Sequence, residues 1–95
     1  MKVSNIALFD FLTADRKSKS IDCRDIVEVV NIIAICLFTD LKVLVLINCN
    51  LTSFNVDLRL VALEGLYLYD NKLVTISGVS TCGKLLRLFI SGNQL

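Results

Sequence analysis

Cys23, Cys36, Cys49 and Cys82 are the side chains best suited to nucleophilic, redox or metal chemistry, but their setting supports none of the three. No two form a CxxC pair and the chain has no histidine, so a common zinc site lacks clustered ligands and a thiol lacks an activating base. The cysteines are expected in apolar surroundings, as small core residues are. Their sparseness also differs from the dense cysteine framework of a small secreted domain. They read as reduced thiols of a cytosolic or nuclear protein, with no metal and no cofactor.

The remaining polar groups offer no reaction either. Asp10 with Asp15 and Asp22 with Asp25 are close in sequence, but such carboxylate pairs are ordinary surface charges. Gly65, Gly78, Gly83 and Gly92 form neither GxGxxG nor a P-loop. The expectation is therefore a protein that is not an enzyme. Ten Lys+Arg against nine Asp+Glu give a net charge of +1, too little to draw nucleic acid or anionic lipid. Arg16, Lys17 and Lys19, the one basic cluster, read as a solvated helix end. The run "VVNIIAICLF" is ten residues long and interrupted by Asn31, half of what crosses a bilayer. "NIALFDFLTA" is broken by Asp10, so neither run reads as a membrane span or a secretory signal.

A chain of 95 residues makes at most one domain, and a mean hydropathy of +0.69 obliges it to hide much apolar surface. The leucines show how. "LKVLVLINCNL" at 41–51, "LEGLYLYDNKL" at 63–73 and "LLRLFISGNQL" at 85–95 all fit LxxLxLxx(N/C)xL with a period of 22. Eleven of the 17 leucines fill eleven of the twelve apolar template positions, and Ile90 fills the twelfth, which excludes a compositional accident. After Leu73 a second rhythm places Ile76, Val79 and Cys82 three apart; the same phase after Leu51 gives Phe54, Asp57 and Leu60, with Asp57 the miss.

On these segments the chain resembles the leucine-rich repeats, specifically the short 22-residue class to which the regulatory leucine-rich repeat subunit of protein phosphatase 1 belongs. The resemblance covers residues 41–95 well and 21–40 more loosely. The absence of proline argues against the extracellular plant and bacterial types, leaving the cytosolic or nuclear class. The fold implied is an α/β leucine-rich repeat solenoid, with a short parallel β-sheet on the concave face and 3₁₀ or helical return segments.

Physically, each LxL is a short strand turning alternate side chains inward, and stacked turns pair these strands in parallel. Asn71 and Asn93 fall where the chain bends, where an amide can bond backbone groups the turn leaves unpaired; Cys49 takes the same place. Triplet spacing suits a 3₁₀-like return. No single turn buries its own core, so the turns must stack.

Residues 1–20 read as an N-terminal helical flank or cap, with Ile6, Phe9 and Leu12 on one side of a helix over 4–16; an early degenerate repeat is the alternative. The repeats occupy 21–95: a degenerate one at 21–40, then repeats starting at 41, 63 and 85. "IDCRDI" at 21–26 reads as the end of an earlier strand and turn, with Ile21 and Ile26 inward. Ile26 then matches Leu51 at a distance of 25, and "RDIVEVVNIIAICLF" supplies a longer, helical return. The last repeat stops at Leu95 without a return segment. That leaves self-association through an uncapped C-terminal end, or a truncated fragment of a longer solenoid, as alternatives.

Function should lie on the strand face the template leaves free. Its rows across the turns are Val43, Gly65, Arg87; Val45, Tyr67, Phe89; Ile47, Tyr69, Ser91; and Asn48, Asp70, Gly92. Tyrosine, phenylalanine and arginine anchor protein interfaces because they bury much area at modest entropic cost. The expected function is an adaptor that binds a protein partner, an enzyme such as a phosphatase among them. Val45, Ile47, Tyr67, Tyr69 and Phe89 form its contact patch, with Asp70 and Arg87 as polar rim. A secreted recognition protein on the same scaffold is the other alternative.

Overall fold

The computed structural model describes residues 2–3, 16–25, 35, 38–54, 60–77, 79 and 82–95. Within them the chain forms five strands: β1 (Lys2–Val3), β2 (Ser20–Arg24), β3 (Val43–Ile47), β4 (Gly65–Tyr67) and β5 (Arg87–Phe89). They make one sheet in the order β1-β2-β3-β4-β5, every neighbouring pair parallel. Alternating β-branched and leucine side chains suit β3 to this role, since strands pair along both of its edges.

Register carries the period. Asp22 stands beside Val45, Val45 beside Tyr67 and Tyr67 beside Phe89, so successive partners are 23, 22 and 22 residues apart. This parallel sheet of regularly spaced strands is compatible with a repeated unit. Its inner face holds Ile21 and Cys23, Leu44 and Leu46, Leu66 and Leu68, all fully buried. Leu41, Leu63 and Leu73 join them at 0% exposure, and Leu51 at 7%. Leu88, the equivalent residue of β5, is 36% exposed because it stands at the sheet edge.

The returns close the core from the other side. The N–H groups of Val79, Cys82 and Leu85 donate to the carbonyls three residues earlier, at Ile76, Val79 and Cys82, over 2.9, 3.0 and 3.1 Å. The triplet thus repeats as a chain of i→i+3 turns, which puts residues three apart on one side. Phe38 to Ile35, Leu41 to Phe38 and Leu63 to Leu60 bond in the same way. Ile35, Phe38, Phe54 and Leu60 are buried, while Asp57, the miss in the rhythm, lies outside the described residues.

Two expectations about the N-terminal part change. Ile21 pairs with Leu44 and Cys23 with Leu46, so residues 20–24 form a full strand rather than the end of one. The offset to the next turn is 23, not the 25 implied by setting Ile26 against Leu51. The reason is that Cys23, small but apolar, takes the place of the second inward leucine. Lys2 and Val3 add a fifth strand, against Asp22 and Cys23, within the flank expected to be helical. Residues 4–15 of the expected helix, and 26–34, 36 and 37 of the segment 24–38, lie outside the described residues; Arg16, at the helix's expected end, stands in a turn.

Asn71 shows what ties one turn to the next. Its Oδ1 accepts from the N–H of Cys49 (2.9 Å) and of Leu51 (3.2 Å). Its Nδ2 donates to the carbonyls of Leu46 (2.7 Å), Leu68 (3.1 Å) and Tyr69 (3.2 Å). Asn93 does the same one turn on, accepting from Leu73 N–H and donating to Leu68 and Ile90. One turn back, the Cys49 thiol donates to the Cys23 and Ile47 carbonyls at 3.4 Å, a weaker version of the same contact.

Immediately before each of these residues the backbone is left-handed: φ is 53° at Asn48, 57° at Asp70 and 76° at Gly92, with Asp25 at 58° on the preceding turn. Asn, Asp and Gly are the residues that adopt this conformation most readily.

Asn71 is 5% exposed, so Asn71→Ala strands several buried backbone groups and should lower stability by about 3 kcal/mol, a large fraction of the stability of a small domain. Asn93, only half-buried, should cost about 1 kcal/mol when changed to alanine. Urea midpoints of the two variants check this. Equal losses would mean that the amide contacts are not what joins the turns.

Candidate protein-binding face

Alternate residues of the strands project away from the core, and pairing sets them in rows. Ser20, Val43, Gly65 and Arg87 make the first row, and Asp22, Val45, Tyr67 and Phe89 the second. Arg24 stands beside Ile47, and Tyr69 follows one turn on. The second row is the aromatic centre. Tyr67 and Phe89 stack with ring centroids 4.8 Å apart and 18° between planes; Tyr69 tilts against Phe89 at 5.5 Å and 37°. Stacked rings at these separations attract beyond their shared burial, and each fixes the other's rotamer.

The contact residues expected from sequence are thus brought together, with different exposures. Tyr67, Tyr69, Phe89 and Ile47 are half-buried, each with one part on the surface. Arg87 and Asp70 are exposed. Val45 is 7% exposed, a short side chain set in register between the longer Asp22 and Tyr67, so it forms a floor beneath the patch.

β2 adds residues that the sequence rows left out. Asp22 extends the aromatic row and Arg24 the Ile47 row, and the two join at 2.9 Å from Arg24 Nε to Asp22 Oδ1. The S-I-D-C-R alternation could have shown this, but the misplaced register of that strand hid it.

Gly65 was recognised only as a member of its row. It is buried, and a β-carbon there would lie 3.2 Å from Arg87 Nη2 and 3.2 Å from Tyr67 Cε2. The guanidinium and the ring therefore share the space that a side chain at residue 65 would take.

Cys23, Cys49 and Cys82 are reduced thiols and buried; Cys36 lies outside the described residues. Burial pushes the Cys23 thiol from 9.0 up to about 12, helped by neighbouring Cys49 and Asp22. Burial raises Cys82 as well. A thiol with so little thiolate at neutral pH is a poor nucleophile and a poor metal ligand. Among the described residues no group of three or more His, Cys, Asp or Glu is placed to hold a metal ion, and no helix is long and apolar enough to cross a membrane.

Comparison with protein-family models, with curated proteins and with solved structures found no match.

The cysteines give a measurable consequence. Up to about pH 9 both folded and unfolded chains keep the Cys23 proton; between 9 and about 12 the unfolded chain releases it first. Folding stability should therefore fall as pH rises through that window, and Cys23→Ala should flatten the fall. Iodoacetamide at neutral pH should leave Cys23 and Cys82 unmodified in the folded protein and alkylate both in urea. Mass spectrometry reads the result, and rapid labelling of the folded chain would contradict the burial described.

Proposed function

We propose that this chain is a leucine-rich repeat module of the short 22-residue class, whose exposed sheet face, the concave one in that class, binds a partner protein. The observation that carries the proposal is the Tyr67–Phe89–Tyr69 cluster. Three aromatic rings touch across two turns of chain, on the face opposite the leucine core, with exposed charge at Arg87 and Asp70 to either side. An isolated aromatic on a strand only covers its neighbours, whereas a joined set with a polar rim has the composition of an interface centre.

Repeat membership is supported by the leucine template, the parallel register and the amide contacts recurring at Asn71 and Asn93. Buried cysteines in the reduced form suit a reducing compartment, the cytosol or nucleus. The partner class implied by the resemblance includes enzymes such as phosphatases, which the module would regulate by docking rather than by chemistry of its own.

A second reading rests on β5. This edge strand carries Leu88 at 36% exposure, with Leu86 at 75% just before it and Leu95 at 57% beyond it. An apolar strand at the edge of a sheet favours pairing with a second copy.

Affinity capture from cell extract separates the two, comparing wild type with Tyr67→Glu plus Phe89→Glu after circular dichroism has shown both folded. The expected outcome is a protein retained by wild type and lost by the double variant, whose sedimentation is unchanged. If both chains retain the same proteins, the face is not the docking site. A wild-type dimer abolished by Leu86→Glu would support the second reading.

A further inference from the structure

We infer that Arg87 is the charge anchor of this face, that it receives a carboxylate from a bound peptide segment, and that Gly65 is the residue that holds it in place. The inference rests on the docking face proposed above and adds the chemistry of what docks: an Asp or Glu next to an apolar or aromatic side chain. Arg87 is exposed and, among the described residues, makes no ion pair. Glu64, on the adjoining turn, gives its carboxylate to Lys42 at 3.8 Å and its backbone carbonyl to the N–H groups of Leu86 and Arg87. Asp22 is joined to Arg24.

Arg87 does not stand clear of the aromatic row. Its Nη2 and Nε lie 3.2 and 3.5 Å from the β-carbon position of Gly65, where Tyr67 Cε2 lies at 3.2 Å. The guanidinium and the Tyr67 ring therefore flank one hollow, and Tyr67 stacks on Phe89. Anything that covers the rings also strips water from the guanidinium.

A covered arginine without a partner is costly, so the face should reject a purely apolar or basic segment and accept one that brings an acceptor. A carboxylate meets the fork of a guanidinium with two parallel hydrogen bonds, which adds direction to attraction. An open ion pair on a protein surface contributes little, but one formed over an aromatic floor as water leaves contributes more.

Gly65 makes the arrangement possible. A methyl group there would press on the flexible end of Arg87 and on the edge of the Tyr67 ring, not on backbone, so Gly65→Ala should fold while pushing Arg87 away from Tyr67.

A random-peptide library displayed on phage, selected on the whole chain and counter-selected on Tyr67→Glu plus Phe89→Glu, supplies the probe. Enriched peptides should carry Asp or Glu beside Phe, Tyr, Trp or Leu. Fluorescence polarisation should then show binding weakened about tenfold or more by Arg87→Gln, and by a smaller factor in Gly65→Ala. Replacing the peptide's acid by its amide should weaken binding to wild type but not to Arg87→Gln. Peptides that need Tyr67 and Phe89 but carry no acid, and bind Arg87→Gln equally well, overturn the inference and leave the docking face standing. If no peptide is selected on this face, the inference falls, and the capture experiment alone decides whether the face binds folded proteins.

Discussion

Asn71 touches five backbone groups drawn from two turns of chain, and the arrangement of the molecule follows from that need. A strand of three to five residues that must return to the same side leaves N–H and C=O groups unpaired at each bend, in a position the core excludes from water. One primary amide has both donors and an acceptor, so it satisfies its own turn and the previous one together. Neighbouring turns are thereby locked at a fixed offset. The parallel register, the rows of outward side chains and the burial of paired leucines all inherit that offset. Where Cys49 replaces the amide, the thiol donates to the equivalent carbonyl but offers only a weak acceptor, and the tie loosens.

This explains which parts of the fold were legible in the sequence. Leu44, Leu46, Leu66 and Leu68 were readable as inward residues because leucine at alternate strand positions has one physical use in a repeated short strand. Ile76, Val79 and Cys82 were readable because spacing by three selects a tight return. β2 was misread because Cys23 does the work of a leucine without resembling one, and apolar residues following it offered a competing register. β1 has two residues, too few for any periodicity, and only its pairing with Asp22 and Cys23 reveals it.

The candidate face divides the same way. Alternation alone placed Tyr67, Tyr69 and Phe89 on one side, since a strand sends successive side chains to opposite faces. Alternation does not say how deep a residue sits or which way a long side chain lies. Val45 is sunk because its neighbours in register are longer, and Arg87 lies toward Tyr67 because Gly65 leaves the space. Both facts depend on residues 22 or more positions away in the chain, beyond the reach of any local pattern.

The backbone at each turn boundary asks little of its neighbour's identity. Lys19, Lys42 and Glu64 each present one carbonyl to two N–H groups of the following turn, although the third carries a charge opposite to the other two. At this contact a turn recognises only the backbone of the one before it. In genetic terms the 22-residue unit is a cassette: an in-frame duplication between β3 and β4 would meet, on both sides, the contacts that those strands already make. Such a chain would grow in length while keeping its register, and would carry another set of outward residues free to diverge.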